Sequence, residues 1–228
     1  MKTRTIAFGD IHGDSRALKV LLDQINPQPC DHLIFLGDVI DRGLDTKGVI
    51  EMLIDLKKET KVSVIIGNHE ETCLEGYAKE PPELSAWIWM GGQSALDSYP
   101  GEIMPQEHLN FLASGVNYVE TEDFIFLHAR WSNSYRLEDT PTSILRWEFL
   151  PENHDAILRH WSAKTVVCGH TTIGENALDL GHLVAIDTGA GMENGWLTAF
   201  DTDSGVFHSA NEHGAYRSYA RRGHANTD

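Results

Sequence analysis

Three short apolar runs in the N-terminal third of the chain each end in a glycine that is followed by carboxylate, imidazole or amide side chains. The runs occupy residues 6–8, 33–36 and 62–66, and runs of this length predict buried strands. The segments between them carry apolar residues at helical spacing. This order predicts a parallel sheet with crossover helices, so the polar side chains that follow the strands lie together at its carboxyl edge.

The rest of the chain adds further strands to this α/β pattern. Residues 116–120 and 123–127 predict a hairpin whose second strand ends at His128, and a strand over 165–168 ends at a Gly-His pair. Three consecutive antiparallel strands and one preceding helix are also expected: the strands at 183–187, 196–201 and 205–208, and the helix at 155–161. No repeat or linker is found, which predicts one domain over 1–210. The polar, aperiodic residues 211–228 predict a flexible tail.

The formal net charge is −16, from 18 lysines and arginines against 34 aspartates and glutamates. A surface of this sign repels a nucleic-acid backbone, so we expect no nucleic-acid partner. An anionic substrate would need a local positive centre, supplied by bound metals or by a few arginines. The charge is also consistent with a basic or neutral protein substrate.

The composition predicts a cytoplasmic protein that does not enter a membrane. No apolar run approaches the roughly 18 residues that a membrane helix needs, and the charged first residues do not resemble a signal peptide. The cysteines Cys30, Cys73 and Cys168 are odd in number and scattered, which indicates reduced thiols and not a disulfide framework or a zinc site. The sequence does not determine the oligomeric state.

The side chains that follow the predicted strands are of types that bind transition metals. They are Asp10, His12, Asp38, Asp41, Asn68, His69, His128 and His170. Mixed carboxylate, imidazole and amide donors suit manganese, iron or zinc better than calcium, which prefers oxygen alone. A carboxylate can bridge two cations, and two neighbouring cations can clamp a phosphate for in-line attack. Arg42 offers planar donors to phosphate oxygens, and a histidine free of metal could protonate the leaving group.

Five ordered blocks carry a resemblance to a known family. They are Gly9-Asp10-x-His12-Gly13, Gly37-Asp38-x-x-Asp41-Arg42-Gly43, Gly67-Asn68-His69-Glu70, His128 after an apolar strand, and Gly169-His170-Thr171. Together they resemble the calcineurin-like metallophosphoesterases, and within them the short bacterial form of the phosphoprotein phosphatase branch. Bacterial diadenosine tetraphosphatases are close relatives of this form. The resemblance covers residues 6–205 and implies a sandwich of two mixed β-sheets flanked by helices, with 1–210 as the catalytic domain.

The resemblance also implies a role for each motif position. Asp10, His12 and Asp38 would bind a first metal ion, and Asp38 would bridge to a second ion that is completed by Asn68, His128 and His170. His69 would be the general acid and Asp41 its orienting partner. Arg42 would bind the substrate phosphate, beside Asn68. The implied cofactor is a pair of metal ions, and the implied partner is a phosphorylated protein or small phosphoester.

Departures from the family pattern bear on the substrate. Ile66 stands where protein phosphatases of this branch usually carry an arginine, and Arg130 or Arg146 could take over substrate binding. The diadenosine tetraphosphatases tend to lose the residues equivalent to Asp41 and Glu70, and this chain keeps both. The motifs therefore favour a Ser/Thr protein phosphatase-like phosphomonoesterase.

Three other functions stay open at this point. The first is hydrolysis of a dinucleoside polyphosphate such as diadenosine tetraphosphate. The second is a non-catalytic module that binds phosphorylated partners, against which the His69 and Asp41 pair argues. The third is a protein whose metals only stabilise the fold. Glu70 is expected to hold its loop, and Trp87, Trp89 and Trp196 are expected to pack in the core.

Overall fold

A computed structural model describes residues 3–221, which form two β-sheets and seven α-helical segments. The helices are α1 (Ser15–Ile25), α2 (Thr46–Glu59), α3 (Asn68–Tyr77), α4 (Ser85–Trp87), α5 (Gln93–Asp97), α6 (Gln106–Ala113) and α7 (Thr142–Trp147). The strands are β1 (Thr5–Phe8), β2 (His32–Phe35), β3 (Lys61–Val64), β4 (Tyr118–Glu120), β5 (Phe124–Leu127), β6 (Thr165–Cys168), β7 (Leu178–Asp179), β8 (Leu183–Ala185), β9 (Asp187–Thr188), β10 (Trp196–Asp201), β11 (Val206–Ala210) and β12 (Tyr216–Ala220).

The first sheet is built around the β-α-β-α-β unit that the sequence predicts. Within residues 3–221 it has the order β12-β11-β10-β1-β2-β3, and β9 pairs with β10. The strands β1, β2 and β3 are parallel, with Ile6 opposite Leu33 and Leu33 opposite Val62. Both crossover helices begin at an aspartate whose carboxylate accepts a backbone N–H of the first turn, Asp14 for α1 and Asp45 for α2.

The second sheet has the order β4-β5-β6-β8-β7 in the described chain. The β4–β5 pair is the predicted hairpin, and β5, β6 and β8 are parallel. The carboxyl ends of β5 and β6 lead into His128 and into the Gly169-His170 pair. Each sheet therefore delivers polar motif residues from the carboxyl ends of parallel strands.

Successive side chains of each strand point to opposite faces of its sheet, so one set packs against the outer segments and the other packs between the two sheets. Ile6 and Phe8 pack against the helices, whereas Ala7 between them packs in a cluster shared by both sheets. In the second sheet, Phe126 joins the shared cluster and its neighbours face the irregular segment 129–161. The result is a sandwich of two mixed sheets with helices on the outside, which confirms the predicted fold class.

The structure differs from the sequence predictions in two segments near the second sheet. Residues 155–161 contain only the short 3-10 turn His154–Ala156, because Leu158 and Trp161 are exposed and the segment has no apolar face to bury. The run at 183–187 is divided: β8 is parallel to β6 in the second sheet, and only β9 joins the antiparallel strands of the first.

The C-terminal residues contribute a strand where the sequence predicts a flexible tail. β12 pairs antiparallel with β11, and Tyr219 stacks on Phe207 with 5.2 Å between ring centroids. Arg221 donates to both carboxylate oxygens of Asp179, at 2.8 and 2.9 Å. These contacts explain why residues 216–221 form ordered structure. Residues 222–228 lie outside the described part of the chain. No helix between residues 3 and 221 has the length and apolar run that a bilayer crossing requires.

Candidate metal centre and acid–base pair

The structure brings the predicted site residues of both sheets together at one edge of the sandwich. The backbone N–H of His170 donates to both carboxylate oxygens of Asp10, each at 3.1 Å. His128 Nε2 lies 3.0 Å from the amide oxygen of Asn68. These contacts join β6 to β1 and β5 to the loop after β3. Residues far apart in the chain therefore share one small volume.

The backbone at this edge is held in an unusual conformation. Nine non-glycine residues between 3 and 221 have a positive φ, and five of them are predicted site residues: His12, Asp38, Asp41, Arg42 and His170. Left-handed backbone costs energy for a residue with a Cβ, so it persists only where the surroundings enforce it. Such strain concentrates at functional sites. Here it directs the side chains of these residues toward the same site.

The imidazole rings have the hydrogen bonding of metal ligands. His12 Nδ1 bonds the carbonyl oxygen of Ile40 at 2.9 Å, and His128 Nδ1 bonds that of Leu36 at 2.8 Å. On His12 and His170, the buried Nε2 atoms have no hydrogen-bond partner among the described residues. A buried polar atom without a partner is costly. A ring fixed at one nitrogen and free at the other is the usual form of a metal-binding histidine.

Asp38 is the side chain that the two halves of the centre share. His12 Nε2 lies 3.7 Å from its Oδ2, and His128 Nε2 lies 3.5 Å from its Oδ1. Two sets of donor atoms, each within 4.8 Å of one another, contain its carboxylate: His12, Asp38 and His69, and Asp38, His128 and His170. These separations are long for hydrogen bonds and suit donors around a cation. A carboxylate between two donor sets is the arrangement that a bridging ligand requires.

The electrostatics of the centre favour cations. Burial raises the pKa of Asp38 to about 7, and burial together with the charge of Asp187 raises that of Asp10 well above its usual range. Burial lowers the pKa of His12 strongly and that of His170 to about 4. The imidazoles are therefore neutral at neutral pH, as metal ligands must be. The carboxylates are buried beside one another, and bound cations would neutralise them.

Two motif glycines allow the close approach of these carboxylates. A Cβ on Gly67 would lie 2.2 Å from Oδ1 of Asp38, and one on Gly169 would lie 2.0 Å from Oδ1 of Asp10. Both distances are shorter than any van der Waals contact, so another residue would displace the carboxylate. The glycines before Asn68 and His170 are therefore part of the site.

Glu70 holds two of the motif loops against each other. Its Oε2 accepts the backbone N–H groups of Asp38 at 2.8 Å and Gly67 at 2.9 Å, and its Oε1 accepts that of Val39 at 2.8 Å. The side chain is fully buried. These bonds fix the loop after β2 to the loop after β3, which agrees with the structural role expected from the sequence.

His69, which also belongs to the first donor set, forms a buried acid–base pair with Asp41. His69 Nδ1 lies 2.6 Å from Oδ2 of Asp41, and the Arg42 guanidinium donates to His69 Nε2 at 3.3 Å. Burial raises the pKa of Asp41 to about 8, and a hydrogen bond from Trp87 acts in the opposite direction. His69 Nε2 lies 3.9 Å from Asp38 Oδ2. The pair is therefore placed to exchange a proton with a group bound at the centre.

The two further arginines predicted to bind substrate already have acidic partners. Arg146 donates to Glu71 and to the amide oxygen of Asn117, both at 2.5 Å. Arg130 donates to Glu148 at 3.2 Å on the surface. The structure thus gives Arg146 a place in the packing of segment 129–161. Neither arginine shares the hydrogen bonds of the His69 pair, in contrast to Arg42.

His170 is the donor that lies nearest to solvent. Its ring hydrogen-bonds the backbone of Trp147 and stacks on Phe149, with 4.5 Å between centroids and 24° between planes. Phe149 is 66% exposed. The second donor set therefore reaches the surface through an aromatic side chain.

Sequence reasoning missed two residues of the site. Trp87 is buried as predicted, but its indole also donates to Asp41. Asp187 accepts from Thr172 Oγ1 at 2.8 Å and from the N–H of Gly189 at 3.0 Å, and its charge acts on Asp10. Asp187 directly follows an apolar run but has no glycine before it, so it lacks the Gly-plus-polar signal that identified the other blocks. Trp89 was expected in the core and is 89% exposed.

Comparison with known families agrees with this geometry. Residues 3–182 match the family described as calcineurin-like phosphoesterases, and the chain belongs to that family. The membership confirms the family that the five blocks predict. It also confirms the class of enzyme, a metal-dependent phosphoester hydrolase.

Two bacterial relatives are named as serine/threonine-protein phosphatases. Serine/threonine-protein phosphatase 1 of Salmonella typhimurium is 27% identical over 200 residues, which are 80% of this chain and 84% of that protein. Serine/threonine-protein phosphatase 2 of Escherichia coli is 33% identical over 105 residues, which are 46% of this chain and 44% of that protein.

Solved structures share the fold at lower identity. The crystal structure of a proposed diadenosine tetraphosphatase has a TM-score of 0.70 and 20% identity, and the match covers 97% of this chain and 95% of that one. The cold-active protein-tyrosine phosphatase of a psychrophilic Shewanella species has a TM-score of 0.63 and 16% identity, over 96% of this chain and 80% of that one. These likenesses support the two-sheet sandwich.

Proposed function

We propose that this chain is a dinuclear-metal phosphomonoesterase of the Ser/Thr protein phosphatase type, with residues 1–210 as its catalytic domain. One observation carries the proposal: the Asp38 carboxylate lies between two sets of donor atoms, with the His69 and Asp41 pair beside it. A site that only stabilised the fold would be closed and would not keep a spare acid–base pair and a free arginine. The naming of the Salmonella relative supports a phosphoprotein substrate.

The proposed cofactor is a pair of cations of manganese, iron or zinc, which suit mixed oxygen and nitrogen donors. Asp10, His12 and Asp38 would hold the first ion, and Asp38, Asn68, His128 and His170 the second. When bound, such ions supply Lewis-acid activation of water and of phosphate oxygens.

The chain's own groups complete the proposed reaction. Arg42 lies at the mouth of the centre and would turn its guanidinium from His69 to the substrate phosphate. Once Arg42 has turned away, His69 Nε2 is free to take up a proton, and His69, oriented through Nδ1 by Asp41, would donate that proton to the leaving oxygen. Asn68 would contribute its amide to the same phosphate.

The proposal is tested by elemental analysis beside hydrolysis of p-nitrophenyl phosphate, with and without added manganese. We expect about two ions per chain, as in two-metal sites, and hydrolysis that chelator abolishes and manganese restores. His69→Asn should keep its metal and lose about 10²- to 10⁴-fold in kcat, the usual contribution of a general acid. His213→Asn is the matched control, since its side chain is 70% exposed. If the metal-loaded protein shows no activity, the proposal is refuted. The remaining hypothesis is then a non-catalytic module that binds phosphorylated partners.

A second candidate is hydrolysis of a dinucleoside polyphosphate. A cavity of about 400 Å³ adjoins Arg42 and is also lined by Arg16 and Leu44, which leaves room for a further charged or apolar part of a larger substrate. Turnover of diadenosine tetraphosphate measured beside that of phosphoserine and phosphothreonine peptides separates the two candidates. A higher kcat/KM on the dinucleotide would favour the second.

The proposal also places the enzyme in the cytoplasm, with neither nucleic acid nor membrane as a partner. All three cysteines, Cys30, Cys73 and Cys168, are free. Free thiols are typical of a reducing compartment. Cell fractionation checks this location.

A further inference from the structure

A buried indole completes the acid–base pair. Trp87 Nε1 lies 2.9 Å from Oδ1 and 2.9 Å from Oδ2 of Asp41, and the same Oδ2 lies 2.6 Å from His69 Nδ1. An indole N–H can only donate, so Asp41 accepts on this side as well as from His69. Trp87 has no exposed surface. The three side chains form one buried chain of hydrogen bonds, from the indole to the imidazole.

The segment that carries Trp87 is built onto two consecutive site residues. Helix α4 and helix α5 are joined through residues 88–92, where the helical path is broken by a kink at Gly91, whose φ is 112°. The carbonyl of Gly91 accepts the N–H of Arg42 at 3.4 Å. A Cβ on Gly92 would lie 2.5 Å from the Trp87 ring, so only glycine lets the indole lie where it does. The kink at Gly91 thus sets the direction in which the following residues leave α4.

Packing alone does not explain a tryptophan at this position. The ring contacts Tyr77, with 6.0 Å between centroids, and an apolar side chain could fill that space. The nitrogen, however, bonds both oxygens of a carboxylate that has no exposed surface. Without this donor, Asp41 would lose the partner that fixes its plane relative to His69. A displaced carboxylate would no longer hold the His69 ring at the orientation that points Nε2 toward the centre.

We propose that Trp87 is a positioning residue for the general acid: it orients Asp41, and through Asp41 it orients His69 for protonation of the leaving group. The proposal rests on the proposed phosphoester hydrolysis. In that step the P–O bond of the ester breaks, its electron pair goes to the leaving oxygen, and this oxygen takes the proton from His69 Nε2. Water supplies the new P–O bond and returns a proton to His69.

Leaving groups of different basicity separate this role from a structural one. Phenolate is a poor leaving group that needs the proton, whereas 2,4-dinitrophenolate leaves without one. Trp87→Phe should lower kcat on phenyl phosphate about tenfold, a part of the 10²- to 10⁴-fold that a general acid contributes. It should leave kcat on 2,4-dinitrophenyl phosphate and both KM values unchanged. Trp89→Phe, the same change at an exposed tryptophan two residues away, should affect neither ester.

Two further variants keep the proposal testable if Trp87→Phe folds poorly. Replacing Trp87 by its benzothienyl analogue keeps the ring shape and puts sulfur in place of the N–H. It should reproduce the loss on phenyl phosphate. In an Asp41→Ala background, Trp87→Phe should cause no additional loss, because residues that act as one unit are not additive.

The outcomes are distinct. An equal loss on both esters, or no loss with the sulfur analogue, would overturn the role of Trp87 while leaving the hydrolase intact. If metal-loaded wild-type protein hydrolyses neither ester, the proposed function fails, and the role of Trp87 fails with it. A loss confined to phenyl phosphate supports both.

Discussion

The two halves of the proposed metal centre differ in how far solvent reaches them. The half that contains His12 is closed, since His12 is 1% exposed and Asp10 is 2% exposed. The half that contains His170 is open on one side, where the ring stacks on the exposed Phe149. The closed half lies at the carboxyl ends of β1 and β2, where helices cover the strands. The open half borders the segment 129–161, where Phe149 is exposed beside His170.

This difference in exposure leads us to expect different roles for the two halves. A closed donor set retains its ion and fixes the geometry, whereas an open one admits substrate and exchanges its ion more readily. Asp38 belongs to both halves, so removing its carboxylate tests whether the two halves depend on one shared ligand. Substitutions confined to one half test whether the halves differ.

The largest effect is expected from Asp38→Ala, which removes the ligand common to both halves. We expect the ion of the closed half to be lost and hydrolysis to fall to background, because that half keeps only Asp10 and His12 and the other half loses its only carboxylate. Elemental analysis after gel filtration, beside the p-nitrophenyl phosphate assay, measures both. Asp23→Ala is the control, since Asp23 is a 61% exposed aspartate on α1. A variant that keeps two ions would show that Asp38 does not bridge.

Alanine at His12 and at His170 should distinguish the halves. Each should lower activity by more than the about 10- to 100-fold that loss of an outer partner costs. Added imidazole should restore activity to His170→Ala, since solvent reaches that position, and not to His12→Ala, whose position is enclosed. Equal rescue of both variants would contradict the comparison.

The pH dependence of stability should show the carboxylates of the centre. Burial lowers the pKa of His12, His128 and His170, so these rings carry no charge in the folded metal-free protein above pH 7. The raised pKa values of Asp38 (about 7) and Asp41 (about 8) mean that the folded state holds more protons than the unfolded state. Stability of the metal-free protein should therefore fall as the pH rises through 7 to 8. Manganese should raise the melting temperature more at pH 8 than at pH 6.5. A rise that is independent of pH would contradict this.

The smallest effect is expected from Phe149→Leu. The substitution removes the ring that stacks on His170 but no ligand atom. The affinity for the more accessible ion should fall by less than about tenfold, because only the support of a ligand is lost. Trp161→Leu is the matched control, an exposed aromatic residue in the same irregular segment. Manganese titration of the metal-free variants gives both values, and a larger loss with the control would refute the role of Phe149.

The sequence predicted the parts of the site that follow strands directly. A strand end fixes where its next residues lie, so Asp10, Asp38 and His128 could be placed from their neighbours alone. Trp87 could not, because it reaches Asp41 from 46 residues away and sits in an aromatic segment without a helical or strand period. Trp89, two residues on, has the same side chain and points to solvent. The path of the chain around the kink at Gly91 decides which of the two is buried.

Prediction of the fold from the sequence has the same limit, since local patterns can be recognised and pairings between distant strands cannot. The β-α-β-α-β unit was predictable, since periodicity and order define it locally. The division of residues 183–188 between two sheets was not, because the parallel partner of β8 is β6 and not a sequence neighbour. Pairing of that kind depends on which faces the two sheets bury against each other.

Glu70 has a consequence for the order of metal binding. Its two oxygens hold the loop that carries Asp38 to the loop that carries Asn68, so neither loop can shift without the other. An ion bound in one half therefore restrains the ligands of the other before the second ion arrives, and the entropy of ordering is lost only once. An ion retained in the closed half should therefore raise the affinity of the open half for its ion. The glutamate that touches neither ion would then set the concentration range in which the enzyme is active.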